Sequence, residues 1–180
     1  MPVISEIING LEPCGAVVDL FSGTSRVGHG LKALGYQVFA NDLNTYAATL
    51  ARCYVQADSN RLAEKASQII SELNRLPGEE GYFTQTFCIE SRYFQPKNGA
   101  RVDAMRESIK QQQLEPELEA VVLVSLMEAA DRVDSTTGVQ MAYLKQWASR
   151  AHNDIELRLP KILPRASSGK GRASQMEAQE

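Results

Sequence analysis

With 180 residues, 43% of them apolar, the chain is long enough for one domain with a buried core and short for two full ones. Its formal net charge of −3 selects no partner, and two histidines, His29 and His152, exclude a multi-histidine metal centre. The three cysteines, Cys14, Cys53 and Cys88, are odd in number and widely spaced, which argues against a disulfide framework or a CxxC metal site and for thiols in a reducing cytoplasm.

Ile4, Ile7, Ile8 and Leu11 recur at helical spacing, so a short amphipathic helix is expected to open the chain. MPVISEIING has no basic start followed by a long apolar stretch, and no secretory signal is expected. The run AVVDLF at 16–21, between Gly15 and Gly23, predicts a strand buried on both faces, the pattern of a parallel sheet. Val27, Leu31 and Leu34 make a helical stripe over 25–34, closed by Gly35. Residues 36–40 predict a second strand and 44–55 a second helix, with Tyr46, Leu50 and Tyr54 on its buried side. This βαβα run implies a right-handed crossover in a doubly wound α/β domain.

Beyond it the character changes. Helices are expected over 61–76, 101–113, 118–135 and 141–151, with Tyr143, Leu144 and Trp147 on the apolar side of the last. A weak strand is expected at 82–87, and a loop from Leu159 onward. The apolar run AVVLVSLM at 120–127 stops at Glu128, far short of the roughly 20 residues a spanning helix needs, so a soluble protein with no membrane partner is the expectation. Two strands cannot complete a doubly wound sheet. Either the helical half covers an unusual mini-sheet, or the remaining strands lie outside this chain.

The first turn can be tested against phosphate-binding patterns. Residues 23–30, GTSRVGHG, have the glycine spacing of a P-loop, but His29 stands where its lysine belongs. As a dinucleotide fingerprint GTSRVG places Ser25 at the second glycine. A nucleoside without phosphates remains. Asp42, nineteen positions after Gly23, can accept hydrogen bonds from both ribose hydroxyls, and amides near Thr24 and Ser25 can meet a carboxylate. An adenosine joined to an amino-acid carboxylate satisfies both ends, which makes S-adenosylmethionine the candidate cofactor. Asp42 could instead only cap the helix that starts near Asn44.

DLFSGT at 19–24, with AND at 40–42, resembles the cofactor motifs of the adenine-N6-specific DNA methyltransferases of the Dam-like class. The likeness extends to residues 125–151 and to IELRLP at 155–160, which resemble the helical insert of one bacterial branch of that family, so it covers nearly the whole chain. It implies a Rossmann-like α/β methyltransferase fold with a partial sheet. Residues 1–60 would be the cofactor-binding βαβα unit, 61–158 a helical, DNA-facing insert, and 159–180 a basic, flexible tail. The resemblance places Phe21 and Gly23 at the methionine end of the cofactor and has Asp19 support the turn. It also puts Ser22 and Thr24 in the binding motif and Asp42 at the ribose, with Asn41 beside it. Ser25 departs from the glycine many relatives have there.

The implied function is methyl transfer to adenine N6 in bacterial DNA, within a restriction-modification system and with a cognate restriction endonuclease as partner. The family's Asp/Asn/Ser-Pro-Pro-aromatic tetrad is not in the sequence, since all seven prolines are isolated. No catalytic residue and no metal ligand is assigned. The chain is expected to be the cofactor half, truncated before the tetrad and inactive on its own. An RNA methyltransferase and a non-catalytic remnant that binds DNA or a partner remain alternatives. Lys145, Arg150, Arg158, Lys161 and Arg165, in a stretch whose acids are Asp154 and Glu156, are candidate DNA contacts; composition alone allows solvated faces equally. Trp147 and Tyr143 are expected in the core rather than stacked on bases.

Overall fold

The computed structural model describes residues 6–8, 10, 15–137 and 144–179. Of the expected opening helix, residues 6–8 are helical, while Ile4 and Leu11 lie outside the described residues, as do Cys14, Met141 and Tyr143. The chain divides into two compact units, one of Met1–Lys65, Glu115–Val121 and Pro160–Glu180, the other of Ala66–Leu114 and Val122–Leu159.

The first unit begins with β1 (Ala16–Asp19), α1 (Arg26–Ala33), β2 (Gln37–Asn41) and α2 (Thr45–Ala51), the last running into a π-helical turn at Arg52–Gln56. Local chemistry explains each boundary. At the end of α1, Gly35 takes φ +95°, its N–H reaches the Lys32 carbonyl and that of Tyr36 reaches Leu31, the paired bonds of a Schellman cap. At the start of α2, the Asn44 side chain accepts from the Tyr46 N–H at 2.8 Å. Leu31, Val38, Ala40, Ala51 and Val55 form the core between the sheet and these helices.

The loop expected from Leu159 onward holds except at one place. Arg172–Ser174 is a third strand, β3, parallel to β2, and the sheet order is β1-β2-β3. Three residues without an apolar run carry no strand pattern; pairing makes them one. Gln56 accepts from the Ala173 N–H at 2.9 Å, the Ser174 hydroxyl donates to Asn41 Oδ1 at 2.8 Å, and Asn41 Nδ2 donates to the Met176 carbonyl at 3.0 Å. Gly171 allows the approach: a Cβ there would lie 2.9 Å from the Val38 carbonyl oxygen and 2.8 Å from that of Val55.

The second unit is helical. α3 (Ser59–Asn74) ends in it, followed by the short α4 (Tyr82–Thr84) with a π-helical continuation at Gln85–Ile89, then α5 (Pro96–Gln111) and most of α6 (Pro116–Asp131). The strand expected at 82–87 is thus helical. Its aromatic residues suggest a strand, but Asp103 accepts the N–H groups of Gly81, Phe83 and Thr84 and the Thr84 hydroxyl at 2.7–3.0 Å, which caps a helical start from another helix. The helix expected over 141–151 is, where described, only a 3-10 turn at Ser149–His152. Ser135 takes the preceding donors, its carbonyl accepting from Leu144 and its hydroxyl from Ala148, while Trp147 lies under the Arg92 guanidinium at 4.9 Å.

The segment after that turn is extended and held by side chains. Buried Asn98 donates to the Asn153 carbonyl and accepts from the Ile155 N–H, and Asn74 makes the same pair of bonds to Leu157. Two amides thus replace a neighbouring strand.

Candidate functional site

The carboxyl ends of β1 and β2 meet in a turn built from the 19–25 motif. The Ser22 N–H donates to the Asn41 carbonyl at 3.0 Å, and the Ser25 N–H turns back to the Ser22 carbonyl at 2.7 Å. Gly23 and Ser25 both adopt left-handed backbone, at φ +49° and +56°. Glycine does so without steric cost, whereas a serine there is strained. Asp42 closes the turn: Oδ2 accepts the Gly23 N–H at 2.9 Å and Oδ1 the Asn44 N–H at 3.0 Å. The two positions singled out in the sequence are therefore bonded to each other, and the Gly23 amide is directed at Asp42. A carboxylate has about four acceptor positions, so two remain for hydroxyl groups.

Asp19 stands behind the turn. Burial raises its pKa and the Asp42 charge adds to this, against a lowering hydrogen bond from the Phe21 N–H. Its Oδ2, the hydroxyls of Ser22 and Ser25 and the His29 Nε2 are buried without a partner among the described residues. Ser25 precedes α1 yet its side chain makes no cap, and the first turn of α1 holds no acid. That helix start keeps amide hydrogens suited to an anion.

In front lies an open cleft of about 350 Å³ lined by Leu20, Phe21, Asn41, Asp42, Leu43 and residues 176–179. Phe21 is 78% exposed and Leu43 63%, leaving apolar side chains at its mouth. Asn41 is buried and lines the cleft with its edge, its amide being engaged by Leu20, Ser174 and Met176. Met176 and its neighbours went unforeseen, because they lie more than a hundred residues away with no motif. His29 also went unassigned: its ring bonds the Lys161 backbone and packs 5.2 Å from Tyr54, and burial lowers its pKa.

Among the proposed cations, Lys145, Arg150 and Arg158 belong to the second unit and Lys161 and Arg165 to the first. Arg150 is paired with Asp134 and Arg158 with Glu156, while Lys145, Lys161 and Arg165 are exposed. Among the described residues no group of three His, Cys, Asp or Glu could hold a metal ion, and no helix is long and apolar enough to cross a membrane.

A parallel α/β unit whose first turn holds left-handed residues and meets a carboxylate from the end of its second strand is consistent with a Rossmann-like fold. The chain is a member of the D12 class N6 adenine-specific DNA methyltransferases, whose family model matches residues 1–178. It is 33% identical over 147 residues to the type II methyltransferase M.NlaIII of Neisseria lactamica, covering 77% of this chain and 43% of that protein. It is 32% identical over 173 residues to the type II methyltransferase M.FokI of Planomicrobium okeanokoites, covering 86% of this chain and 27% of the relative. With the modification methylase StsI of Streptococcus sanguinis it shares 32% over 154 residues, 78% of this chain and 23% of that one. The chain thus spans less than half the length of these relatives. No solved structure matches it.

Proposed function

We propose that this chain is the S-adenosylmethionine-binding part of a DNA methyltransferase that modifies adenine N6 within a restriction-modification system of a bacterial cytoplasm. Membership of the family and the relatives named as type II and modification methylases support the reaction class. The order β1-β2-β3 agrees with the first half of a Rossmann-like doubly wound sheet, in which ligands sit beyond the carboxyl ends of the strands.

The observation that carries the cofactor assignment is Asp42, fixed by two backbone amides at the lip of the cleft with acceptor positions to spare. Asp42 takes the ribose hydroxyls, with Asn41 holding β2 beside it. Phe21 and Gly23 face the methionine end, Asp19 braces the turn, and Ser22 and Thr24 complete it. The unpartnered Ser25 hydroxyl and the uncapped start of α1 suit a carboxylate. When bound, S-adenosylmethionine supplies an activated methyl group. DNA is the substrate, with exposed Lys145, Lys161 and Arg165 preferred as phosphate contacts over Arg150 and Arg158, which are exposed but ion-paired. A cognate endonuclease is the implied partner.

Isothermal titration of the purified chain with S-adenosylmethionine and S-adenosylhomocysteine tests this. Saturable binding is expected, lost in Asp42→Ala while the circular dichroism spectrum stays folded. No heat up to millimolar ligand from a folded wild-type chain overturns the assignment.

A further inference from the structure

A cavity of about 590 Å³ in the second unit shares no lining residue with the cleft at Asp42 and serves no step above. Its floor is apolar, made by Phe83, Val102, Leu126 and Met127. Tyr82 stands at the mouth, 75% exposed, its ring T-shaped to that of Phe87 with centroids 6.3 Å apart. The rim is acidic: Glu79, Glu80 and Glu107 are exposed there, with Arg106 the one cation among the lining residues.

The rim is also held in place. The Glu79 N–H is bonded to the Ala100 carbonyl at 2.9 Å, and Asp103 clamps Gly81, Phe83 and Thr84, so α4 and the loop before it are fixed on α5. A rigid apolar hollow with an exposed aromatic at its edge has the make-up of an anchor pocket in a protein interface. Three carboxylates around it disfavour nucleic acid, whose phosphates they repel, and favour a cationic partner.

We propose that this cavity is a docking site for a polypeptide segment that carries an apolar anchor side chain between lysine or arginine residues. The anchor fills the hollow against Tyr82 and Met127, and the flanking cations meet Glu79, Glu80 and Glu107. The site is independent of cofactor binding and faces a protein, not DNA.

The test is titration of the 15N-labelled chain with three synthetic nonapeptides, one with a leucine anchor between Lys and Arg, one with the leucine replaced by alanine, and one with the flanks replaced by Glu. Only the first is expected to shift amides of 79–83, 102–107 and 126–130, with a dissociation constant below about 1 mM. The double variant Glu79→Lys, Glu80→Lys, both on the surface, weakens that binding roughly tenfold and Tyr82→Ala does so comparably. Equal shifts from all three peptides, none from any, or shifts of the same amides by a duplex oligonucleotide overturn the proposal.

Discussion

The backbone N–H of Gly23 donates to Asp42 Oδ2 at 2.9 Å, so the carboxylate at the end of β2 is part of the turn that follows β1. With the second bond, from Asn44, one side chain ties β1, β2 and the start of α2 together. Asp42→Asn puts an NH2 opposite one of those two donors. A loss of about 1–3 kcal/mol in urea unfolding is expected, together with weakened cofactor binding. A variant as stable as the wild type would show that the two amides find other acceptors.

Two residues before helices set a second comparison. Asn44 caps α2 through its side chain, whereas Ser25, in the same position before α1, makes no such bond and is buried. Asn44→Ala is therefore expected to cost about 1 kcal/mol. Ser25→Ala removes an unpartnered hydroxyl and should change stability by less than about 0.5 kcal/mol. Thermal melts of the two variants decide it: equal losses would mean that Ser25 caps α1 in solution.

The order β1–α1–β2–α2 was legible because its signals are local. An apolar run, a glycine after Leu34 and an asparagine before Thr45 all act within a few residues of where they stand. Burial was not: β1, expected to be buried on both faces, leaves Val18 exposed, and Tyr46, expected on the buried side of α2, is exposed too. Asp42 was legible as an acid at the end of the second strand, but its bond to Gly23 depends on how the chain turns between them. What the sequence hid is set by distant partners. Asp103 makes a helix start of an aromatic stretch that otherwise suggests a strand, and Ser135 draws off donors that a helix after Leu144 would need. β3 is a strand only because β2, Gln56 and Asn41 pair with it.

That third strand rests on Gly171. A methyl group there meets two backbone carbonyl oxygens, whereas at Gly28, inside α1, it meets a side-chain atom, the Val55 Cγ2, at 2.8 Å and gains helix propensity over glycine. Gly171→Ala is expected to destabilise the chain by about 1–3 kcal/mol and more than Gly28→Ala, with faster hydrogen exchange at Ala173 and Ser174. Equal stability of wild type and Gly171→Ala would mean that β3 does not pair as described.

Lys32, on the last turn of α1, contributes a pH dependence to the first unit on the alkaline side. It is 4% exposed, and its Nζ donates to the Ala57 carbonyl. Burial lowers its pKa from 10.5 to about 8, against the attraction of Asp58, Cys53 and Glu117 and with the repulsion of Lys170. Because the folded pKa is the lower one, the unfolded chain holds more protons between about 8 and 10.5, and stability rises with pH across that window. Below it the buried charge opposes folding. Lys32→Met keeps the length of the side chain and removes the proton, at the expense of one hydrogen bond. The stability of wild type relative to Lys32→Met is therefore expected to climb by up to about 3 kcal/mol between pH 8 and 10.5, read from urea melts at each pH. Parallel curves would place the lysine charge in solvent.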